Sequence, residues 1–259
     1  MHSHINFGYA WYWTYGHLLA TAILLPLFCL AWSRKWPKPL LAIIGAVTLW
    51  SVAAFAAVRL CLNINGRMPP PTASFLPSGS GRVLDMGAGT GRSTLMDLEA
   101  RPRTFVVALD SFGDEYVRHF GDRENGKQVP DQGRERLLEN LRSAGVDQRA
   151  AIQAGDMRQM RIESESFDGV VSAYAIDHLN RDGGRKALAE AFRVLKPGGQ
   201  FLLMVIAKDL WIKLTWGPLL MHTKLSGRDR WAGLLHDAGF QVVETGTRPG
   251  TLYLLARKP

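Results

Sequence analysis

Three glycines and a few acids are the residues here whose spacing could do chemistry. Gly87, Gly89 and Gly91 stand in VLDMGAGTGRST, residues 83–94, between an apolar run and a helical pattern. Glycine lets a backbone turn tightly and lets a ligand lie against bare peptide. A second apolar run, VVALD, ends in Asp110, and a third ends in GDM, with Asp156 and Met157. An acid at the end of the second run can accept both hydroxyls of a ribose. Asp156 is placed to accept a hydrogen from an adenine amine. Two other cofactor patterns fail. The dinucleotide fingerprint G-x-G-x-x-G would need a glycine where Arg92 stands. No G-x-x-x-x-G-K-[ST] phosphate loop occurs.

A fourth apolar run, FDGVVSAYAIDHL, carries Asp177 and His178 just past its end. Histidine is tuned for proton transfer near neutral pH, so these two are the candidate catalytic residues. The plainer reading makes Asp177 a helix cap with His178 packed at the helix start.

The elements that must position these residues alternate along the chain. Strands are expected at Arg82–Gly87, Thr104–Asp110, Ala150–Gly155, Phe167–Tyr174, Gln200–Ile206, Phe240–Thr245 and Thr251–Arg257. Helical patterns fall near 92–100, 134–144, 184–195 and 228–238. Alternating β and α units imply a doubly wound α/β sheet with buried parallel strands. The last two strands are joined only by GTRPG, which predicts an antiparallel hairpin.

With LKPGG added before the fifth strand, the order DxGxGxG, strand-end acid, GDM, FDxVVS, LKPGG resembles the class I S-adenosylmethionine-dependent methyltransferases over residues 80–258. The resemblance implies a seven-stranded Rossmann-like sheet with its last strand antiparallel. It implies that Gly87, Ala88, Gly89 and Gly91 cradle the methionine part of S-adenosylmethionine, with Asp85 near its ammonium group. Asp110, followed by Ser111, would hold the ribose. Asp156 and Met157 would frame the adenine, and Ser172 and Ala173 would meet the methionine end. No metal is implied. The position after the fourth strand reads AIDHL and not [DN]-P-P-[YF], and this domain has no cysteine. Both features argue against a nucleic-acid base as acceptor and leave a small molecule or lipid, on the general plan of quinone- and sterol-type enzymes.

Charge sharpens this. Residues 1–78 hold five basic residues (Arg34, Lys35, Lys38, Arg59, Arg67), no acid, and five of the eight Trp. The remaining 26 basic residues face 23 acids, so the +8 net charge and the high pI are no nucleic-acid signal. Leu40–Val58 is 19 residues without a charge, and Gly16–Trp32 is apolar apart from His17. A bilayer core takes ~20 such residues as a helix. Pro26 should kink the first helix, and Tyr9, Trp11, Tyr12, Trp13 and Tyr15 resemble an interfacial belt. A cleaved signal peptide lacks its basic start here, and a buried soluble hairpin would need shorter runs.

The expected organisation is therefore a membrane anchor over residues 1–62, a Pro/Gly/Ser linker over 63–81 and a methyltransferase domain over 82–259. Its partners would be a bilayer and an apolar acceptor. The catalytic domain should lie on the cytoplasmic face, where the cofactor is found. The basic loop SRKWPKP argues the other way by a three-to-two margin. Small residues such as Ala42, Ala46, Ala53 and Ala57 permit a dimer without requiring one. Two regions could shape an acceptor site. One is the long stretch after Asp110, with Tyr116, His119 and Asn125. The other is 208–227, where Leu210, Trp211, Ile212, Leu214, Trp216, Leu219, Leu220 and Met221 suggest a core helix or a bilayer-touching cap with Lys208, Lys213 and Lys224 near headgroups.

Overall fold

The computed structural model describes residues 5–112, 123–124, 127–128, 132–220 and 227–259. Tyr116, His119, Asn125, Met221, His222 and Lys224 lie outside these. The chain divides into two compact units. One takes the described parts of Met1–Gly8, Arg67–Ala207 and Leu225–Pro259; the other takes those of Tyr9–Gly66 and Lys208–Lys224.

The first unit is built on β1 (Ser80–Met86), β2 (Arg103–Asp110), β5 (Ala150–Ala154), β6 (Phe167–Ala173), β7 (Leu195–Ile206), β8 (Gln241–Arg248) and β9 (Thr251–Arg257). Two short strands, β3 (Arg123–Glu124) and β4 (Lys127–Gln128), pair only with each other. The seven-stranded sheet has the order β5-β2-β1-β6-β7-β9-β8. Its pairs are parallel except that β9 runs antiparallel to both β7 and β8. Among the described residues its α-helices are α3 (Arg92–Ala100), α4 (Gln132–Ser143), α5 (Arg181–Val194) and α7 (Arg228–Asp237).

Strand alternation sorts the core into two layers. Val83, Val106, Ala108, Leu202 and Met204 point to the layer holding Leu95 and Leu98 of α3 and Leu137 and Leu141 of α4. Leu84, Met86, Val107, Leu109, Leu203 and Val205 point to the layer holding Leu188 and Ala191 of α5 and Trp231 and Leu235 of α7. Helices on both faces explain why these strands read as nearly unbroken apolar runs. Strand order reverses between β1 and β6, so the crevice for a ligand lies at the carboxyl ends of those strands.

The second unit contains α1 (Trp11–Ser33), α2 (Lys38–Ala57) and α6 (Leu210–Leu220). Helix α1 passes through Pro26 and ends at Ser33, two residues before Lys35, whose φ of 53° is left-handed. Pro37 then precedes the first residue of α2. A single π turn, Val58–Leu62, extends α2. Thr21 and Ser51 hydroxyls pair between α1 and α2 at 2.7 Å. The Trp50 indole of α2 donates to Leu214 O of α6 at 2.8 Å, and Trp13 meets Trp216 edge to face. The two long helices have the length and composition to cross a membrane. Many of their apolar side chains are exposed: Ile23 and Ile43 are 61% exposed and Leu49 71%.

Three boundaries differ from the sequence reading. Residues 5–8 belong to the sheet unit, because Phe7 is buried in its core. The second half of the expected linker is packed, because Phe75 and Leu76 bury themselves against the sheet. Phe75 lies so close to Gly169 of β6 that a Cβ there would meet it at 2.9 Å. Gln200 fixes the same stretch by accepting Leu76 N–H and donating to Ser74 O. Finally, α6 interrupts the expected methyltransferase span and joins the apolar helices.

Candidate cofactor site

The glycine loop leaves β1 at Met86 and enters α3 at Arg92. Gly87, Gly89 and Gly91 have φ of 81°, 52° and 90°, where side chains other than glycine are strained. Gly87 N–H and Ala88 N–H both donate to Leu109 O, at 2.8 and 3.0 Å, which hangs the loop from the end of β2. Close approach is the second reason for glycine. A Cβ at Gly87 would lie 2.3 Å from Ala175 Cβ and 3.0 Å from Met157 Cε. One at Gly91 would lie 2.2 Å from Leu137 Cδ1. The segments that follow β5 and β6 therefore converge on Gly87.

Asp110 clamps this loop. Its Oδ2 accepts Gly89 N–H at 2.7 Å, and its Oδ1 accepts Ser111 N–H at 2.7 Å. A carboxylate retains further acceptor sites after two such bonds. Asp85 is turned inward and fully buried, accepting from the Ser93 and Thr94 hydroxyls of α3 at 2.8 and 2.6 Å. Burial pushes its carboxyl up to about 6; the two hydroxyls oppose that, and the charge of Asp110 adds to it. One turn further along α3, burial pushes Asp97 up to about 7, although Arg101 pairs with it at 2.7 Å.

Asp156 is engaged by its neighbour: Arg158 donates to both its oxygens through Nε and Nη2 and to Oδ1 through its backbone N–H. Those bonds hold the Asp156 carboxyl below the usual carboxylate range. Ser172 is buried and its hydroxyl donates to Met86 O at 2.9 Å, tying β6 to β1, while Ala173 is half-buried at the strand end.

Past β6 the chain turns through Tyr174, a non-glycine residue at φ 54°. Its N–H donates to Met204 O, and its hydroxyl pairs with Thr251 Oγ1. A 3-10 turn, Ile176–His178, follows. Asp177 Oδ2 accepts Ile206 N–H at 3.4 Å, while Oδ1 is buried without a hydrogen-bond partner. Burial raises the Asp177 carboxyl, against the charge of His178. His178 itself is exposed. Asp177 does not cap the next helix: Asn180 does, accepting Gly183 N–H at 2.8 Å.

The structure thus gathers Gly87, Met157, Ala175, Gly89 and Asp110 at one crevice. Sequence reasoning missed Ser93, Thr94, Asn140 and Tyr174. Ser93 and Thr94 stand two and three residues past the last loop glycine, and two hydroxyls there are a readable hint.

Residues 84–203 match the family model described as a methyltransferase domain. A ubiquinone/menaquinone biosynthesis C-methyltransferase UbiE from Methylobacterium nodulans is 35% identical over 161 residues, covering 62% of this chain and 50% of that protein. An S-adenosyl-L-methionine-dependent Diels-Alderase, iccD, from Talaromyces variabilis is 29% identical over 186 residues, covering 66% of this chain and 56% of that one. The chain thus spans about half the length of these curated relatives. Among solved structures, a SAM-dependent methyltransferase from Methanosarcina mazei superimposes with a TM-score of 0.54 at 19% identity, covering 74% of this chain and 99% of that one. That likeness is one of fold.

Proposed function

We propose, on the premise that residues 84–203 form a class I S-adenosylmethionine-dependent methyltransferase domain, that the chain methylates an apolar, membrane-partitioned acceptor such as a lipid or quinone-like ring. The observation that carries the cofactor half is the Gly89–Asp110 clamp at the mouth of the crevice. The residues fit the cofactor: left-handed glycines leave bare peptide at the end of β1, and an acceptor-only carboxylate stands one hydrogen bond away. When bound, S-adenosylmethionine supplies a methyl group on a positively charged sulfur. Asp110 would accept the ribose hydroxyls, and Met157 would pack on the adenine. The loop and the segment at Ala175 would fix orientation, which is the main contribution an enzyme makes to a displacement of this kind. Asp177 would take a proton from an acceptor that still holds one, because a buried carboxyl with a raised pKa is a stronger base than an ordinary one. Of the two residues past β6, Asp177 has the more sheltered position for this; exposed His178 would serve as its solvent-side neighbour.

The acceptor half rests on α1 and α2, which we read as bilayer spans because they are long, apolar and expose many large apolar side chains. The UbiE relative, whose name carries ubiquinone and menaquinone, is consistent with a quinone-like ring. The catalytic unit would face the cytoplasm. The direct experiment incubates purified chain in detergent with methyl-labelled cofactor and a membrane lipid extract. Label in the organic phase together with S-adenosylhomocysteine supports the reading. Label only in water-soluble products would redirect it to a soluble metabolite. Cofactor binding without any S-adenosylhomocysteine would favour the second reading, a cofactor-binding protein that transfers no methyl group, as the name of the iccD relative allows.

A further inference from the structure

A single buried side chain stitches the segment Ile5–Gly8 to the glycine loop. Asn140 of α4 is 2% exposed. Its Oδ1 accepts Asn6 N–H, and its Nδ2 donates to Asn6 O and to Thr90 O, each at 2.9 Å. A carboxamide has two N–H donors; here one serves the segment and the other the loop. Thr90 answers by donating its hydroxyl to Phe7 O at 3.0 Å. Phe7 is buried in the same core layer as Leu137 and Leu141. The segment then turns at Gly8, whose φ is 74° and whose N–H donates to Asn6 Oδ1 at 2.8 Å. Thr90 lies between Gly89, which Asp110 holds, and Gly91, which opens α3.

We propose that Asn140 is a positioning residue of the cofactor loop and that residues 5–8 are a strap that sets the loop's geometry. The proposal rests on reading Gly87–Gly91 and Asp110 as the S-adenosylmethionine site. Left-handed glycines on both sides give Thr90 little conformational restraint of its own. The bond from Asn140 pins the Thr90 carbonyl, and the bond from the Thr90 hydroxyl ties that pin to the strap. With the strap undocked, Asn140 loses two of its three partners inside a closed core, which is unfavourable. Linkage then requires that, if a docked strap tightens cofactor binding, bound cofactor holds the strap down by the same factor.

The test uses the full chain in detergent and titrates S-adenosylhomocysteine by calorimetry. Asn140→Ala and Phe7→Ala should each weaken binding about tenfold. Because both act through one strap, the double variant should lose no more than the worse single one. Asn140→Asp, which sets a carboxylate against two carbonyl oxygens, should be worse than Asn140→Ala. Thr90→Val removes only the hydroxyl bond and serves if the core variants unfold; it should lose about threefold. Amide exchange at Asn6 and Gly8 should slow on adding ligand, by about the factor lost in Phe7→Ala, a response that a purely structural contact would not give. Unchanged affinity in folded variants, additive losses, or ligand-independent exchange at residues 6 and 8 would each overturn the strap. A wild-type chain that binds no S-adenosylhomocysteine would overturn the cofactor reading itself.

Discussion

Asp110 ends β2, whereas Asp177 lies in the 3-10 turn past β6, and their surroundings differ. Asp110 accepts two backbone N–H groups and, on the proposed reading, would also accept the ribose hydroxyls. Asp110→Ala should weaken S-adenosylhomocysteine binding roughly 10- to 100-fold, the value of ~1.5–3 kcal/mol for bonds to a charged acceptor; calorimetry checks it. Asp177 is sheltered, with one oxygen unpartnered and its pKa raised by burial. If it is the base, the rate should rise with pH as Asp177 loses its proton, through a midpoint above the ordinary carboxylate range. Asp177→Asn should remove that limb and lower kcat by about 10²–10⁴-fold. A pH profile unchanged in the variant would assign the carboxyl a structural role. At this scale the sequence was legible where chemistry is local. The glycine spacing and the strand-end position of Asp110 are visible without a fold. The inward turn of Asp85 was not, since it depends on Ser93 and Thr94 coming back over β1. The capture of Asp156 by Arg158 lies two residues away and was open to view.

Between elements, the β1–α3 seam carries two buried carboxyls, Asp85 and Asp97, pushed up to about 6 and about 7 by burial. The sign of their effect follows from linkage. As pH rises above ~4, the unfolded chain releases these protons while the folded chain keeps them. Folded-state stability therefore falls with rising pH through this window and levels off once both have ionised, above about 7. The melting temperature should drop between pH 5 and pH 8, and Asp97→Asn should flatten that drop. An equal slope in the variant would show that Asp97 titrates normally. Most elements were readable because apolar runs of strand length alternate with helical patterns. The stretch 72–79 was not. Its Pro, Gly and Ser content reads as linker, and nothing in a period betrays that Phe75 would slot against Gly169 while Arg101 stacks over its ring at 4.8 Å. Removing that aromatic, Phe75→Ala, should destabilise the sheet unit by about 3–5 kcal/mol, measurable by denaturant unfolding.

At the scale of the whole molecule, the apolar helices were legible from length and absence of charge. The membership of α6 was not, because sequence order places it inside the catalytic span. The indole of Trp50 and the ring of Trp216 reveal its allegiance. Trp50→Phe should weaken the helical unit by about 1 kcal/mol, the net value of one hydrogen bond, and should raise protease sensitivity of α6 in detergent. Both units, moreover, are discontinuous in the chain: residues 5–8 belong with the sheet, and 208–220 belong with the apolar helices. The apolar helices and the sheet unit are therefore not separable cassettes. Trimming the chain to residue 67 would discard the strap and strand α6 without its neighbours, leaving its apolar side chains to seek other chains. The trimmed protein should aggregate without detergent, while a chain that also replaces 208–224 by a short polar loop should stay dispersed. Such interleaving lets neither unit be gained, lost or exchanged alone, so the two would have to evolve together.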